Sequence, residues 1–199
     1  MTTGDGRWNH NTHHHRRILA ATPAGARTAL DVGCGEGLLT RRLTTVVNHV
    51  TGIDQDPVSI RLAQEQVGTL PVDHLLGDLR NHPFEPASFD LVTAVAVLHH
   101  LDASTGLTRL RELVRPGGVL VVVGCARSVG TADVPFEVAG VLTHRVLSAR
   151  RPAWEDGAPT VWPPPETYAT MRRLTAQLLP GRRYRRHALW RYSVVWTAP

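Results

Sequence analysis

Lysine is absent from this sequence, cysteine occurs only twice, and no hydrophobic run is long enough to cross a bilayer. The absence of lysine excludes any mechanism that needs a lysine Schiff base or a lysine general base. Cys34 and Cys125 are too few for a disulfide framework, which favours a cytoplasmic setting. No stretch approaches the roughly twenty apolar residues of a transmembrane helix, and the polar N-terminus lacks the apolar segment of a signal peptide.

The composition is otherwise that of one globular domain. The chain has 199 residues, 42% of them hydrophobic and 20% charged, which suffices for a single domain with a substantial core. Its net charge is +5, and every basic residue counted in that balance is an arginine. A positive balance can attract nucleic acid or an acidic substrate. Because the arginines are spread along the chain, we interpret them as a solvated surface and expect no nucleic-acid partner.

A glycine-rich loop is the most informative stretch of the sequence. Thr28 to Val32 is a short apolar run typical of a strand, and Gly33, Gly35 and Gly37 follow at alternate positions. The apolar residues beyond them have roughly helical spacing. Glycines let the backbone turn sharply, and the start of the helix offers unpaired N–H groups. A strand, a glycine turn and a helix in this order therefore predict a ligand site.

The spacing of the glycines separates two kinds of ligand. Dinucleotide enzymes have Gly-x-Gly-x-x-Gly, and the last glycine position of that pattern is Leu38 here. A second strand-like run, Val46 to Ile53, ends at Asp54, where an acid can accept hydrogen bonds from both ribose hydroxyls. Asp56 is the alternative acid, but it precedes Pro57 and suits the cap of the next helix.

Later runs predict the rest of a sheet. Val72 to Leu76 is predicted as a third strand, and Phe89 to Leu98 and Val119 to Val123 read as buried parallel strands. Helical patterns precede the first of these three runs and separate the second from the third. A final amphipathic helix begins near Tyr168, and Tyr184 to Trp196 predicts two more strands. Strands that alternate with helices indicate a doubly wound α/β sheet, which binds its ligand at the carboxyl ends of the strands.

Four ordered motifs together resemble the class I S-adenosylmethionine-dependent methyltransferases: Asp31-Val-Gly-Cys-Gly-Glu-Gly37, Gly52-Ile-Asp54, Gly77-Asp78 and Arg115-Pro-Gly-Gly-Val-Leu120. The sequence is most similar to the small-molecule branch typified by ubiquinone- and menaquinone-biosynthesis methyltransferases. The resemblance implies a Rossmann-like, mostly parallel seven-stranded sheet with a C-terminal antiparallel hairpin. It also implies S-adenosylmethionine as methyl donor and a small organic acceptor methylated on oxygen, nitrogen or carbon.

The resemblance assigns residues to the donor through their positions in these motifs. In the family's pattern, the acid that closes the second strand holds the ribose, which here is Asp54. Asp78 accepts from the adenine amine, and Leu79 contributes its backbone N–H. The residues assigned to donor binding are Asp31, Gly33, Cys34, Gly35, Gly37, Asp54, Gln55, Asp78, Leu79 and Ala94.

The same resemblance divides a single domain into four segments. These are an N-terminal cap (1–27), a donor-binding core (28–124), a substrate-side insertion (125–165) and a final helix with a hairpin (166–199). We expect a helix from His13 to Ala20 in the cap. The expected walls of the substrate pocket are Trp8, His10 and His14 from the cap, with Trp154 and Trp162 from the insertion.

Two other interpretations of the N-terminal histidines stay open. The segment could be a plain surface helix, or His10 and His14 could hold a metal from one helical turn apart. No cysteine or carboxylate accompanies them nearby, so we expect no metal.

Methyl transfer chiefly requires that donor and acceptor are held in line and that water is excluded. A general base is needed only when the acceptor carries a proton whose loss limits the rate. His99 and His100 follow the fourth strand, where acceptor and methyl group should meet, and are the candidate catalytic residues. Otherwise they orient the substrate or pack beneath the following helix.

Two rival functions remain from other classes. One is a non-catalytic S-adenosylmethionine-binding scaffold or regulatory protein, and the other is an NAD-dependent oxidoreductase. We expect a small-molecule acceptor as partner, with neither nucleic acid nor a membrane, and leave a homodimer open.

Overall fold

The computed structural model describes residues 8–150, 154 and 162–199, and seven strands form one sheet within them. The strands are β1 (Thr28–Val32), β2 (His49–Asp54), β3 (Val72–Leu76), β4 (Phe89–Val95), β5 (Val114–Gly124), β6 (Arg183–His187) and β7 (Arg191–Thr197). The helices are α1 (His15–Ala21), α2 (Leu38–Leu43), α3 (Pro57–Gln66), α4 (Ala103–Leu113), α5 (Val134–Ser148) and α6 (Tyr168–Leu178). Among the described residues, none of the helices has the length and apolar character that a membrane span requires.

The strand order confirms the predicted architecture. It runs β3-β2-β1-β4-β5-β7-β6, with the first five strands parallel and β7 antiparallel to both of its neighbours. The chain leaves β1 towards β2 on one side, and β4 pairs with β1 on the other. A parallel α/β sheet offers its ligand crevice at such a reversal, outside the carboxyl ends of the strands.

Alternate residues of the strands pack on opposite faces of the sheet. In β5, Val119, Val121 and Val123 join one apolar cluster, while Leu120 and Val122 join the other. Both faces are covered, which explains why the central strands read as nearly continuous apolar runs.

The bounds of β2, β4 and β5 differ from the predicted ones. β2 begins at His49 rather than Val46, because Val46 and Val47 donate backbone hydrogen bonds to Leu43 in the turn after α2. β4 ends at Val95 rather than Leu98, and a 3₁₀ turn, Leu98–His100, follows it. β5 is longer than predicted at both ends. The pattern of apolar residues alone does not predict the residue at which the backbone hydrogen bonding changes from helix to strand.

Helix starts follow the expected cap chemistry. Asp56 precedes Pro57 at the start of α3, and its carboxylate accepts hydrogen bonds from the N–H groups of Val58 and Ser59. Pro57 costs nothing there, because the first N–H of a helix has no partner within it. The N-cap of α4 is Asp102, whose carboxylate accepts a hydrogen bond from the Thr105 N–H.

The hairpin turn between β6 and β7 ties the sheet to α5. Leu189 and Trp190 both have positive φ, 65° and 55°, in a tight turn where Asn-Gly is usual. The Trp190 Nε1–H donates to Glu137 Oε2 at 2.7 Å. A Cβ added at Gly140 would lie 2.9 Å from the Trp190 ring, so α5 needs glycine at this contact. Tertiary packing therefore holds a turn that its own residues disfavour.

Candidate functional site

A cavity of about 370 Å³ lies at the carboxyl ends of β1, β2 and β4, where the topology predicts a ligand. Its volume is within the usual range of small-molecule sites. Its walls come from the glycine loop, the ends of β2 and β4, the loop after β3, and the N-terminal segment. We call it the glycine-loop cavity. The candidate donor residues that line it are Asp31, Gly33, Cys34, Gly35, Asp54, Gln55 and Leu79.

The loop from residue 33 to residue 37 takes a conformation that only glycine allows at low cost. Gly33, Gly35 and Gly37 have φ of 67°, 52° and 72°. A Cβ at Gly33 would lie 2.3 Å from Val97 Cγ2. The loop therefore approaches the end of β4 more closely than any side chain would permit.

Two buried polar side chains, Thr40 and His74, support the loop. The Thr40 hydroxyl donates to the Gly37 carbonyl at 2.6 Å, and its oxygen lies 2.9 Å from His74 Nε2. Since the hydroxyl has one hydrogen, it accepts at this second contact, which makes His74 Nε2 the protonated nitrogen. Gly37 itself does not line the cavity. It begins α2, and a Cβ there would lie 2.5 Å from His74 Nε2.

Asp54 joins the loop to β2. Its Oδ2 accepts from the Gly35 N–H at 2.8 Å, and its Oδ1 accepts from the Asp56 N–H at 3.0 Å. Each carboxylate oxygen has a second acceptor site, so two further hydrogen bonds are available to a ligand. Asp56 also lines the cavity, but its oxygens already accept from Val58, Ser59 N–H and the Ser59 hydroxyl. Of these two acids, Asp54 therefore has more acceptor sites left for a ligand.

Asp31 is a buried acid with one oxygen left over. Its side chain is 2% exposed, and Oδ1 accepts from the Thr93 hydroxyl at 2.7 Å. Oδ2 has no hydrogen-bond partner among the described residues. Burial, opposed by the Thr93 hydrogen bond and helped by the nearby Asp54, raises the pKa of Asp31 to about 7. An unpartnered buried carboxylate oxygen in a cavity wall suits a ligand that brings its own donor, such as an ammonium group.

The loop after β3 differs from the expected arrangement. Leu79 lines the cavity, but Asp78 does not. The Arg80 Nε–H lies 3.1 and 2.9 Å from the two Asp78 carboxylate oxygens and holds the pKa of that acid below its usual range. Arg80, which belongs to none of the four motifs, lines the cavity itself.

The end of β4 also places its residues differently. Ala94 is fully buried within the strand and does not line the cavity, whereas Val95, Ala96 and Val97 do. Ala96 has a positive φ of 57°, an uncommon conformation for a residue with a side chain. It turns the chain at the cavity wall, just before the 3₁₀ turn.

Only one of the two candidate catalytic histidines lines the cavity. His100 lines the cavity, while His99 does not, and their ring centroids are 4.0 Å apart. Burial lowers the pKa of His99 to about 4, helped by the positive charges of His100 and Arg191. Burial also lowers the pKa of His100, and Asp54 opposes that shift.

The N-terminal segment covers the cavity with other residues than those predicted. Asn11, Thr12 and His15 line it, whereas Trp8, His10 and His14 do not. The cause is a 3₁₀ turn, Thr12–His14, before α1: with about three residues per turn it changes which side chains face inward.

The displaced residues have other contacts. Trp8 and His10 pack against His144 of α5, with His10 Nε2 and His144 Nδ1 3.0 Å apart. The His14 ring lies 4.9 Å from that of His187.

Likewise, only one of the two tryptophans expected from the insertion lines the cavity. Trp162 is 70% exposed and lies outside the cavity wall, whereas Trp154 is part of it. No cluster of three histidine, cysteine, aspartate or glutamate residues suitable for a metal occurs in the described ranges.

Comparison with known proteins identifies the family. Residues 30–122 match a family model described as a methyltransferase domain. The chain is 38% identical over 199 residues to an uncharacterized methyltransferase of Mycobacterium tuberculosis, covering 98% of this chain and 99% of that one. It is 35% identical over 111 residues to a ubiquinone biosynthesis O-methyltransferase of a Methylobacterium species, covering 54% of this chain and 44% of the relative.

A solved structure supports the fold. A SAM-dependent methyltransferase from Aquifex aeolicus superposes with a TM-score of 0.63, covering 93% of this chain and 89% of that one. The sequences are 19% identical, so this likeness concerns the fold alone.

Buried neutral histidines should make the fold acid-sensitive. Burial lowers the pKa of His14 and of His15 to about 3, from an ordinary value of 6.5. Below pH 6.5 these histidines therefore bind more protons in the unfolded chain than in the folded protein. The stability that the folded protein has above pH 6.5 is lost as the pH falls towards the pKa values of the folded state. Asp31, with its raised pKa, acts in the opposite sense. Each of these two histidines should cost up to about 2 kcal/mol between pH 7.5 and pH 5.

Urea unfolding at both pH values measures this loss. His14→Leu should reduce the loss by about one histidine's share. Leu70→Gln, at a 40% exposed position and with no change in titratable groups, is the control and should leave the loss unchanged. Equal stability of the parent protein at pH 7.5 and pH 5 would contradict the account.

Proposed function

The chain belongs to the methyltransferase family and is a methyltransferase, and from the geometry of the glycine-loop cavity we propose that S-adenosylmethionine is its donor and a small organic molecule its acceptor. One observation carries the proposal. Asp31, whose buried Oδ2 has no hydrogen-bond partner among the described residues, lines the same cavity as Asp54, whose carboxylate has acceptor sites left for a ligand. A ligand that carries both an ammonium group and a ribose satisfies both acids.

The remaining walls fit the rest of such a donor. Asp31 would accept from the amino group, and Asp54 from the ribose hydroxyls. Ile53 and Leu79 supply apolar surface for an adenine ring. The left-handed glycines leave room for the backbone to approach the ligand. When bound, S-adenosylmethionine supplies a methyl group on a positively charged sulfur that is already activated for displacement.

The histidines of the cavity wall suit a cationic ligand. Burial lowers the pKa of His15 to about 3, with a smaller contribution from Arg42, whose Nη1 lies 3.0 Å from His15 Nδ1. His15 is therefore uncharged at neutral pH and does not repel a sulfonium group. Asn11 and Trp154 line the cavity beside it and would help to exclude water from the reacting atoms.

His100 is the residue that we propose takes a proton from the acceptor. It lines the cavity, and its lowered pKa leaves it neutral and able to accept a proton at pH 7. His99, with a pKa of about 4, is a weaker base and lies behind it. The likeness to a ubiquinone biosynthesis O-methyltransferase supports an acceptor with a hydroxyl group, which loses a proton on methylation.

Titration calorimetry with S-adenosylhomocysteine and with NAD tests the donor. We expect S-adenosylhomocysteine to bind and NAD not to bind. Gly33→Ala should weaken that binding at least tenfold, because the new Cβ would lie 2.3 Å from Val97 Cγ2. Gly25→Ala is the matched control: Gly25 has φ of 73°, yet nothing lies within 4 Å of an added Cβ.

Binding of NAD alone would favour an oxidoreductase and contradict the proposal. Binding of S-adenosylhomocysteine without methyl transfer to any acceptor would favour the scaffold.

Single-turnover methylation of a panel of phenols and hydroxyquinones tests the base. His100→Gln should lower the methylation rate about 100-fold, while the dissociation constant of S-adenosylhomocysteine stays within about twofold. His99→Gln is the neighbouring control and should keep most of the rate. An unchanged rate in His100→Gln would remove His100 from the mechanism and leave donor binding unaffected.

A further inference from the structure

Helix α5 exposes an unusual amount of apolar surface. It carries six of the twelve exposed large hydrophobic side chains among the described residues. Their exposed fractions range from 40% to 57%, and among them the Phe136 ring also contacts the Arg186 guanidinium, 4.1 Å from the ring centroid. These residues are Val134, Phe136, Val138, Val141, Leu142 and Val146.

The exposed side chains occupy one continuous half of the helix. At about 100° per residue, all of them except Phe136 fall on an arc of roughly 180°. Small apolar residues fill the same arc. The charged residues on it are Arg145 and Arg150, the latter just beyond the end of the helix, and both are exposed. The arc contains no acidic residue.

The opposite half of α5 is fastened to the body of the protein. Gly140 lies beneath Trp190, and Glu137 accepts the hydrogen bond of its indole. His144 contacts His10 of the N-terminal segment. Both acids at the start of the helix, Asp133 and Glu137, face the Arg186 guanidinium. The fold therefore holds α5 with its apolar half towards solvent and its two acidic side chains, Asp133 and Glu137, towards Arg186.

We propose that this outer face of α5 docks on a bilayer that contains anionic lipid. A helix that buries an apolar face at the lipid boundary, with arginines that meet acidic headgroups, needs no membrane-spanning segment. Charge complementarity supports this occupant, because the face offers only cations and the whole chain has a net charge of +5. The expectation of no membrane partner rested on the lack of a spanning run and does not extend to surface docking.

The size of the face argues against a second copy of the chain as occupant. A helix of 15 residues is about 22 Å long and about 10 Å wide, so it presents roughly 220 Å² in projection. A stable protein dimer buries about 800 Å² on each partner. A lipid surface adapts to a protruding helix and needs no complementary partner surface.

Co-sedimentation of the full chain with vesicles tests the proposal without donor or acceptor. The protein should pellet with vesicles of equal phosphatidylcholine and phosphatidylglycerol. Binding should be at least tenfold weaker with phosphatidylcholine alone, and weaker again at about 0.5 M salt because the arginine contribution is screened. This result is independent of the proposed methyl transfer, since vesicle binding and S-adenosylhomocysteine binding are measured separately.

A matched pair of variants assigns binding to the helix. Val138→Gln/Leu142→Gln should lower vesicle binding at least tenfold, since it removes apolar surface without adding charge. Val46→Gln/Leu70→Gln alters side chains of 42% and 40% exposure elsewhere and should bind as the parent does. Equal thermal melts show that both variants are folded, as substitutions at exposed positions should be.

Three results would overturn the proposal: no pelleting of the parent with anionic vesicles, equal pelleting of the two variants, or a dimer in sedimentation velocity that Val138→Gln/Leu142→Gln dissociates. The last result would make a second copy the occupant.

Discussion

The hydrogen bond from the Gly35 N–H to Asp54 Oδ2 ties the glycine loop to the acid at the end of β2, and the glycine-loop cavity depends on this contact. It joins the turn after β1 to the end of β2, beside the two backbone bonds from Gly33 and Cys34 to the Ile53 carbonyl. Because the turn is held at this point, Asp54, Gly33 and Gly35 line one cavity. The sheet order places Asp31 at the same edge. The proposed donor site depends on this convergence.

The charges around that space are arranged for a cation. Burial keeps His15 and His99 uncharged at neutral pH, and the Arg80 guanidinium in the wall is paired with Asp78. Of the three aspartates in the wall, Asp31 and Asp54 are the two proposed to meet the ligand. Asp31 is the costlier of the two, because its burial favours the protonated form until a positive group arrives. We expect the histidines to make the fold acid-sensitive and the aspartates to bind the donor. Both effects have the same cause, which is the low polarity of the surroundings of these side chains.

The sequence predicts the sheet well because its signals are local: apolar runs, caps such as Asp56, and glycines at a turn. It also names many residues of the cavity wall, from Asp31 to His100, through motifs in strand-end loops. It does not find His15, because a 3₁₀ turn of three residues decides which histidine faces inward. Nor does it reveal that Ala96, just after β4, has a left-handed conformation. As a result Val95, Ala96 and Val97 line the cavity, whereas Ala94 does not. Arg80 was detectable in principle, since it stands two residues after Asp78 and pairs with it.

The pH dependence of S-adenosylhomocysteine affinity tests the central claim most directly. If Asp31, with a pKa of about 7 in the free protein, accepts the ammonium group, a proton competes with the ligand. Affinity should then rise by up to about tenfold per pH unit from pH 5.5 and level off above pH 7, and Asp31→Asn should bind more weakly with a flat profile. A flat profile in the parent protein, or the same slope in Asp31→Asn, would contradict the account.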